Sequence, residues 1–279
     1  MSDEKPGIGP ISAILLDLDG TLYLDDAPIP GAAEAVAEIR RLGIPFCFTT
    51  NTTRRPRTEL AALLSGMGIP AQADEIVSAP SAAARWLLAK GLRRVKLLLP
   101  EVSWREFSAL DRVEERPDAV VIGDLGEGWT FPLLDDAFRD LMAGAELVAV
   151  QRNRFWRVGG RLQLDAGPFV AALEYAARRE AVLIGKPAKA FFATAAGELG
   201  VKVLTSVAVI GDDLDSDVRG ARDGGMIAVA LRTGKYRPED EARFRETAAV
   251  VLDSIADLPG WLESRCPQPR NSVPNPAFP

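Results

Sequence analysis

Asp17 and Asp19 stand at the end of an apolar run, Ile14-Leu15-Leu16, and are followed at once by Gly20 and Thr21. Side chains two apart on a strand share a face, so the spacing points both carboxylates the same way at the strand's end. Two carboxylates held together repel and split their proton affinities unless a metal or a cation neutralises them. Three further segments carry complementary groups. Phe46-Cys47-Phe48 runs into Thr49-Thr50-Asn51, which supplies hydroxyls and an amide; Leu183-Ile184-Gly185 leads to Lys186-Pro187; and 207–210 leads into Gly211-Asp212-Asp213-Leu214-Asp215-Ser216-Asp217. One polar strand end is a loop, but four with matching chemistry make a site. The chemistry that fits is phosphoryl transfer through an enzyme carboxylate. A nucleophilic Asp forms an acyl phosphate, and a second carboxyl protonates the leaving oxygen and then activates water. Charge gathers on the phosphoryl oxygens, so a hard cation, a lysine and hydroxyl or amide donors belong around them.

The elements that must position these groups follow from the pattern of the chain. Short apolar runs predict strands over 11–16, 45–49, 95–99, 119–122, 147–150, 182–184, 207–210 and 227–231. Amphipathic stretches between them predict helices over 32–42, 57–67, 79–90, 133–143, 168–178, 188–199 and 217–224. Strands alternating with helices imply a parallel sheet and an α/β fold. Ligands of such sheets bind beyond the carboxyl ends of the strands, where Asp17 belongs. Residues 155–158 and 161–164 around Gly159-Gly160 read as a hairpin that breaks the rhythm and suggests a second domain.

Composition narrows the alternatives. The 279 residues are 47% hydrophobic and 26% charged, ordinary for a globular chain. A net charge of −6 argues against a nucleic-acid partner. There is no histidine, which removes serine–histidine hydrolysis, histidine-ligated zinc and imidazole proton transfer. Cys47 and Cys266 stand in unrelated contexts and predict neither a disulfide nor a zinc site; Cys47 reads as a small core residue. The first residues lack a signal-peptide pattern and no run reaches membrane-spanning length, so the expectation is a cytoplasmic protein with no membrane partner. The proline-rich stretch 267–279 is expected to be disordered.

The four segments Asp-Leu-Asp-Gly-Thr, Thr-Asn, Gly-Lys-Pro and Gly-Asp-Asp-Leu-Asp-Ser-Asp occur in the order of the four motifs of the haloacid dehalogenase superfamily, which the chain resembles over roughly 11–80 and 182–262. The resemblance implies a Rossmann-like parallel-sheet core. It makes Asp17 the nucleophile, Asp19 the general acid and base, Thr50 with Asn51 the phosphoryl holder, and Lys186 the neutralising cation. It places Mg²⁺ on the Asp17 carboxylate, the Asp19 backbone carbonyl and Asp212, with Asp217 and Asp213 behind them. The interval from Asp17 to Thr50 has room for one helix, whereas that from Thr50 to Lys186 is much longer and must hold any inserted cap. This resembles the type-two (IIA) capped branch, similar to 4-nitrophenylphosphatase, pyridoxal phosphatase and phospholysine phosphohistidine inorganic pyrophosphate phosphatase. Residues 166–170 and Thr233-Gly234-Lys235-Tyr236 resemble that branch as well. The implied organisation is a core of 1–79 with 185–266, an α/β cap over 80–184, and the tail. The implied function is Mg²⁺-dependent hydrolysis of a small phosphorylated metabolite through an aspartyl phosphate, with homodimerisation through the cap as in similar proteins.

Other readings weigh less. A dehalogenase of the superfamily characteristically lacks the second Asp that Asp19 supplies. A regulatory binding protein of the same fold would not need every motif position intact, and phosphotransfer to an acceptor other than water is a variant of the same chemistry. The glycine follows Asp19 too early for a calcium-binding EF-hand loop, and Gly185-Lys186-Pro187 is not a P-loop. Asp215 reads as a plain helix N-cap. Arg152, Asn153 and Arg154 are candidates to face substrate, with surface ion pairing the equal alternative. Arg54, Arg55 and Arg57 are candidates to attract phosphate, and Trp129 and Trp156 suit packing better than stacking on a ligand.

Overall fold

The structure is a computed structural model that describes residues 3–4, 8–158 and 161–265. The Gly159-Gly160 turn, the side chain of Trp156, Cys266 and the 267–279 tail lie outside the described residues.

Ala13–Asp17 is the central strand, and every residue in it is buried. Ala13 and Leu15 face a cluster containing Phe191, Phe192 and Val209. Ile14 and Leu16 face the opposite one, with Val36, Ile39, Leu60 and Phe48. A strand covered by helices on both faces is apolar throughout rather than alternating. Cys47 is a buried free thiol in the first of these clusters.

Seven strands form the main sheet, in the order Asp3–Glu4, Val250–Leu252, Ile227–Leu231, Val207–Gly211, Ala13–Asp17, Phe46–Thr50, Ile76–Ser78. All adjoining pairs are parallel except the first. From Ala13–Asp17 the chain proceeds to Phe46–Thr50 and Ile76–Ser78 on one side, then returns to the other side at Val207–Gly211. The strand order therefore reverses beside Asp17, the place where an open α/β sheet leaves a crevice for ligand.

A second sheet of five parallel strands is built wholly from 94–183, in the order Val182–Leu183, Glu146–Ala149, Ala119–Ile122, Arg94–Leu98, Asp111–Arg112. Helices Phe131–Met142 and Ala166–Ala177 cover one face through Ala137, Leu141, Val170 and Leu173. The other face, with Val95, Val121 and Val148, joins a cluster that continues through helix Ala79–Ala89 to Phe191. Phe155–Val158 and Arg161–Leu164 pair antiparallel as a separate ribbon on this half, the one hairpin expected there.

Several elements differ from the pattern-based expectation. Ile76–Ser78 and Val250–Leu252 are core strands of three residues, too short for apolar periodicity to declare them. Helices Phe131–Met142 and Ala166–Ala177 each begin two residues earlier than expected. Their N-caps, Thr130 and Asp165, accept backbone N–H bonds and set the start, with proline merely tolerated in the first turn. The expected 217–224 helix begins as a wide turn, Leu214–Val218, before Arg219–Asp223.

Candidate active site

Asp17 ends its strand almost completely buried. Both of its oxygens are held: Thr21 Oγ1 donates to Oδ2 at 3.1 Å, and the Lys186 ammonium bonds Oδ1. The chain then turns sharply. Gly20 has φ +83°, and a Cβ there would lie 2.3 Å from Asp212 Oδ2, so only glycine lets the two loops meet. Asp19 is exposed to the cleft on the far side of that turn, its backbone bridged to Tyr23. Partial burial raises the Asp19 carboxyl above the ordinary carboxylate range, Asp17 raises it further, and Lys235 opposes both.

Lys186 does not come from a core strand end. Val182–Leu183, the strand before it, pairs with Glu146–Ala149 of the second sheet, so the lysine enters on the segment that returns from that half. Asn51 receives it with two bonds: Lys186 N–H donates to Oδ1 at 2.8 Å, and Asn51 Nδ2 donates to the Lys186 carbonyl at 2.9 Å. Gly185 makes this approach feasible, since a Cβ would lie 2.1 Å from the Val150 carbonyl oxygen. Lys186 Nζ then spans Asp17 and Asp217, reaching Asp217 Oδ1 at 2.6 Å. Burial lowers its proton affinity, but Asp17 and Asp217 override this and raise it well above the ordinary lysine value.

Thr50, buried at the end of Phe46–Thr50, faces the same cleft and accepts the Thr52 N–H at 3.1 Å. Asp212 follows Val207–Gly211. Its Oδ2 accepts the Lys235 N–H at 2.6 Å, and its Oδ1 lies 3.4 Å from the Thr21 hydroxyl. Burial and the neighbouring Asp17 and Asp217 charges push Asp212 well above the usual range. Burial likewise raises Asp217, against the pull of Lys186.

Asp17, Asp212 and Asp217 bring ligand oxygens within 4.8 Å of one another. Asp217 Oδ2 is buried without a hydrogen-bond partner. Three clustered carboxylates with an orphaned oxygen and one shared ammonium are short of positive charge, and oxygen donors alone suit a hard divalent cation. The residues present therefore fit Mg²⁺. The Asp19 carboxylate stands outside this group.

Asp213 is occupied differently. It accepts N–H bonds from Asp215 at 2.9 Å and Ser216 at 3.0 Å, and pairs with Lys235 Nζ at 2.6 Å. Asp213, not Asp215, is therefore the N-cap of the following turn. The cap residue must precede the N–H groups it receives, whereas Asp215 is exposed and pairs with Arg219 at 2.9 Å. Burial favours the acid form of Asp213, yet Lys235 and these N–H bonds pull its carboxyl down to about 2.

A cavity of about 600 Å³ opens over these groups. Arg54 and Arg55 line it, as does Asn153, but Arg57 is drawn away to Glu106 at 2.7 Å and Arg152 to Glu174 at 2.6 Å. Arg154 lies over the Phe155 ring, and Trp129 stacks on Phe169 at 4.3 Å. The sequence reading gave no role to Thr21, Tyr23, Asp124, Gln151, Asp165 or Lys235. For Lys235 a signal existed in the strand-ending Thr233-Gly234-Lys235. Thr233 Oγ1 donates to the Gly20 carbonyl at 2.6 Å and Gly234 packs on Gly20 and Asp212, so this segment braces the loop that follows Asp17. Asp124, Gln151 and Asp165 carried no comparable signal.

Residues 14–111 match a family model described as haloacid dehalogenase-like hydrolase, and 183–258 match a second, HAD-hydrolase-like one. The human haloacid dehalogenase-like hydrolase domain-containing protein 2 is 37% identical over 245 residues, covering 88% of this chain and 93% of that protein. Bovine phospholysine phosphohistidine inorganic pyrophosphate phosphatase is 36% identical over 253 residues, covering 88% and 92%. Among solved structures, 4-nitrophenylphosphatase from Thermotoga maritima superposes with a TM-score of 0.82 at 27% identity, covering 90% of this chain and 97% of that one. The p-nitrophenyl phosphatase from Archaeoglobus fulgidus gives 0.82 at 27%, covering 91% and 100%.

Proposed function

The chain belongs to the haloacid dehalogenase-like hydrolases, and from that membership we propose a Mg²⁺-dependent phosphatase that hydrolyses small phosphate monoesters through a phosphoryl group carried on Asp17. The observation that carries the reading is the division between two carboxylates. Asp17 is buried, with both oxygens held by Lys186 and Thr21, while Asp19 reaches the cleft with its proton affinity raised.

In the first step an Asp17 oxygen attacks phosphorus, and the bond from phosphorus to the alcohol oxygen breaks. Asp19, as the acid, gives that oxygen its proton, and the alcohol leaves. In the second step Asp19, now a carboxylate, takes a proton from water as the water oxygen attacks phosphorus. The acyl phosphate bond breaks, inorganic phosphate forms, and both carboxyl groups return to their starting states. Asp17 and Asp212, with Asp217 behind them, would hold the Mg²⁺, which supplies charge neutralisation to the phosphoryl oxygens when bound. Lys186 contributes a fixed positive charge beside the nucleophile, and Asn51 holds that lysine in place. Thr50 faces the same space and offers a hydroxyl to a phosphoryl oxygen.

Turnover of 4-nitrophenyl phosphate tests this reading. Activity is expected to need Mg²⁺, to vanish with EDTA and to return on resupply. Asp17→Asn is expected to lose activity by at least about a thousandfold, because an amide is no nucleophile toward phosphorus, with its thermal melt still cooperative. Undiminished turnover by that variant would overturn the mechanism, and turnover in EDTA would overturn the metal assignment.

A further inference from the structure

Asp17 and its partners act on the phosphoryl group, and none of them selects the alcohol attached to it. That choice falls to the rest of the cavity wall. Among the described residues, the second-sheet half contributes Asp124, Gln151, Asn153 and Asp165, two carboxylates and two amides without a cation or an apolar side chain. Among the described residues around the cavity stand nine carboxylates and four cations, with Tyr23 and Leu60 supplying apolar surface.

Each of those cations already faces a carboxylate. Arg54 grips Asp124 Oδ2 with Nε at 2.9 Å and Nη2 at 2.5 Å. Arg55 forks onto Asp26 at 2.8 and 2.9 Å, Lys235 meets Asp213 at 2.6 Å, and Lys186 spans Asp17 and Asp217. A second anionic group on the substrate would have to displace one of these pairs and would otherwise meet like charge.

Of the two carboxylates on the second-sheet side of the cavity, Asp124 is paired with Arg54 and, among the described residues, Asp165 is not paired with a cation. It is 5% exposed and caps helix Ala166–Ala177 through a bond from Ala166 N–H at 2.7 Å. Gln151 Nε2 donates to the same oxygen at 2.5 Å, and Gln151 Oε1 accepts the Asn153 N–H at 3.0 Å, so the group is fixed in direction. Among the described residues no cation pairs with it. Burial raises its carboxyl, Asp124 raises it further, and only N–H donors oppose them. A buried carboxylate that lines the cavity and has no cation partner of its own is complementary to a cation brought by the ligand.

We propose that the alcohol released by this enzyme carries an amine and no second anionic group, and that Asp165, with Asn153 beside it, receives the ammonium. The inference rests on the phosphatase reading and adds the class of substrate to it. Asp165 and Asn153 are then the residues that set specificity, through interactions that strengthen kcat/KM for an amine over its isosteres.

The experiment compares kcat/KM for three phosphate esters of similar size: 2-aminoethyl, 2-hydroxyethyl and carboxymethyl phosphate, with Mg²⁺ and with 4-nitrophenyl phosphate as the reference. The expected order is amine, hydroxyl, carboxylate, with the amine ahead of the carboxylate by about tenfold or more. Asp165→Asn, which retains an N-cap side chain, is expected to shrink that ratio several-fold. Asn153→Asp, which adds a carboxylate beside the first, is expected to widen it and carries the test if Asp165→Asn does not fold. An amine-to-carboxylate ratio of one or below, or a ratio that neither variant moves, would overturn the assignment. Absence of turnover on every ester, the aryl reference included, would instead overturn the phosphatase reading.

Discussion

Asp19 sits two residues from the buried Asp17 yet reaches solvent, and in the proposed mechanism that difference in surroundings sets its work. Burial and the Asp17 charge both favour its acid form, which suits a group that must give a proton before it takes one. Asp19→Asn is expected to lower turnover by about a hundredfold or more. With an activated leaving group such as 4-nitrophenolate, the loss should fall on dephosphorylation, so phosphate should accumulate covalently on Asp17. Intact-mass measurement after rapid quench checks this, and full turnover with no trapped phosphate would contradict the assignment. Asp213 invites a different measurement. Its carboxyl is held at about 2 by Lys235 and two N–H bonds against the cost of burial, below the ordinary value of roughly 3.9. A folded-state value below the unfolded one stabilises the fold at all pH above the unfolded value, and that stability is lost as pH falls through the folded value. Asp213→Ala is expected to cost about 1 kcal/mol near neutrality, as cap removal does. The gap from the parent should close between roughly pH 4 and pH 2 in acid-unfolding curves; a gap that persists at pH 2 would contradict it.

At the scale of elements, the ends of Ala13–Asp17, Phe46–Thr50 and Val207–Gly211 each deliver a polar cluster, and Gly20 and Gly234 let two of their loops touch. The apolar runs at 119–122 and 227–231 were legible to the residue, because fully buried parallel strands are written as uninterrupted apolar stretches. Ile76–Ser78 and Val250–Leu252 were not, because a strand of three residues shows no period. Lys96 is a case of its own. It lies in the second-sheet strand Arg94–Leu98, buried, where the pattern predicts only apolar company, and it is neutralised by Asp136 at 2.6 Å and by Asp140, both from helix Phe131–Met142. Its side chain thereby clamps helix to sheet. Lys96→Ala is expected to destabilise this half by about 3 kcal/mol, since Asp140 would stay largely buried without its cation. Hydrogen exchange should show faster opening of strands 94–98 and 119–122, and unchanged exchange there would rule out the clamp.

At the scale of the whole molecule, the two sheets meet over the cleft through a few directed contacts. Arg54, just past the end of the Phe46–Thr50 strand, forks onto Asp124; Arg57 bonds Glu106 at 2.7 Å; and Ser103 Oγ donates to the Thr53 carbonyl at 2.6 Å. The segment after Phe46–Thr50 thus serves both the proposed phosphoryl site and the link to the other half. Asp124→Ala removes the Oδ2 acceptor of two Arg54 N–H bonds and the Oδ1 acceptor of the Gly126 N–H at 2.9 Å. Its effect is expected mainly as a several-fold rise in KM with a smaller change in kcat, because Asp17 and its neighbours are untouched while the wall over them loosens. A drop confined to kcat would contradict that division.

The types and order of the reactive residues were settled by the sequence alone, because a carboxylate pair, an amide, a lysine and an acidic cluster keep their chemistry wherever the chain puts them. The parallel α/β core was legible for a related reason, since burial on two faces leaves a continuous apolar mark on local sequence. Only tertiary structure decided that Lys186 arrives from the second half and is seized by Asn51 across 135 positions. Only it decided that Lys235 braces Asp212, and that Asp124, Gln151, Asn153 and Asp165 form the wall facing Asp17's cleft. Those contacts depend on where two sheets come to rest against each other. Packing sums many weak interactions between residues far apart in the chain, so no local run of sequence carries its outcome.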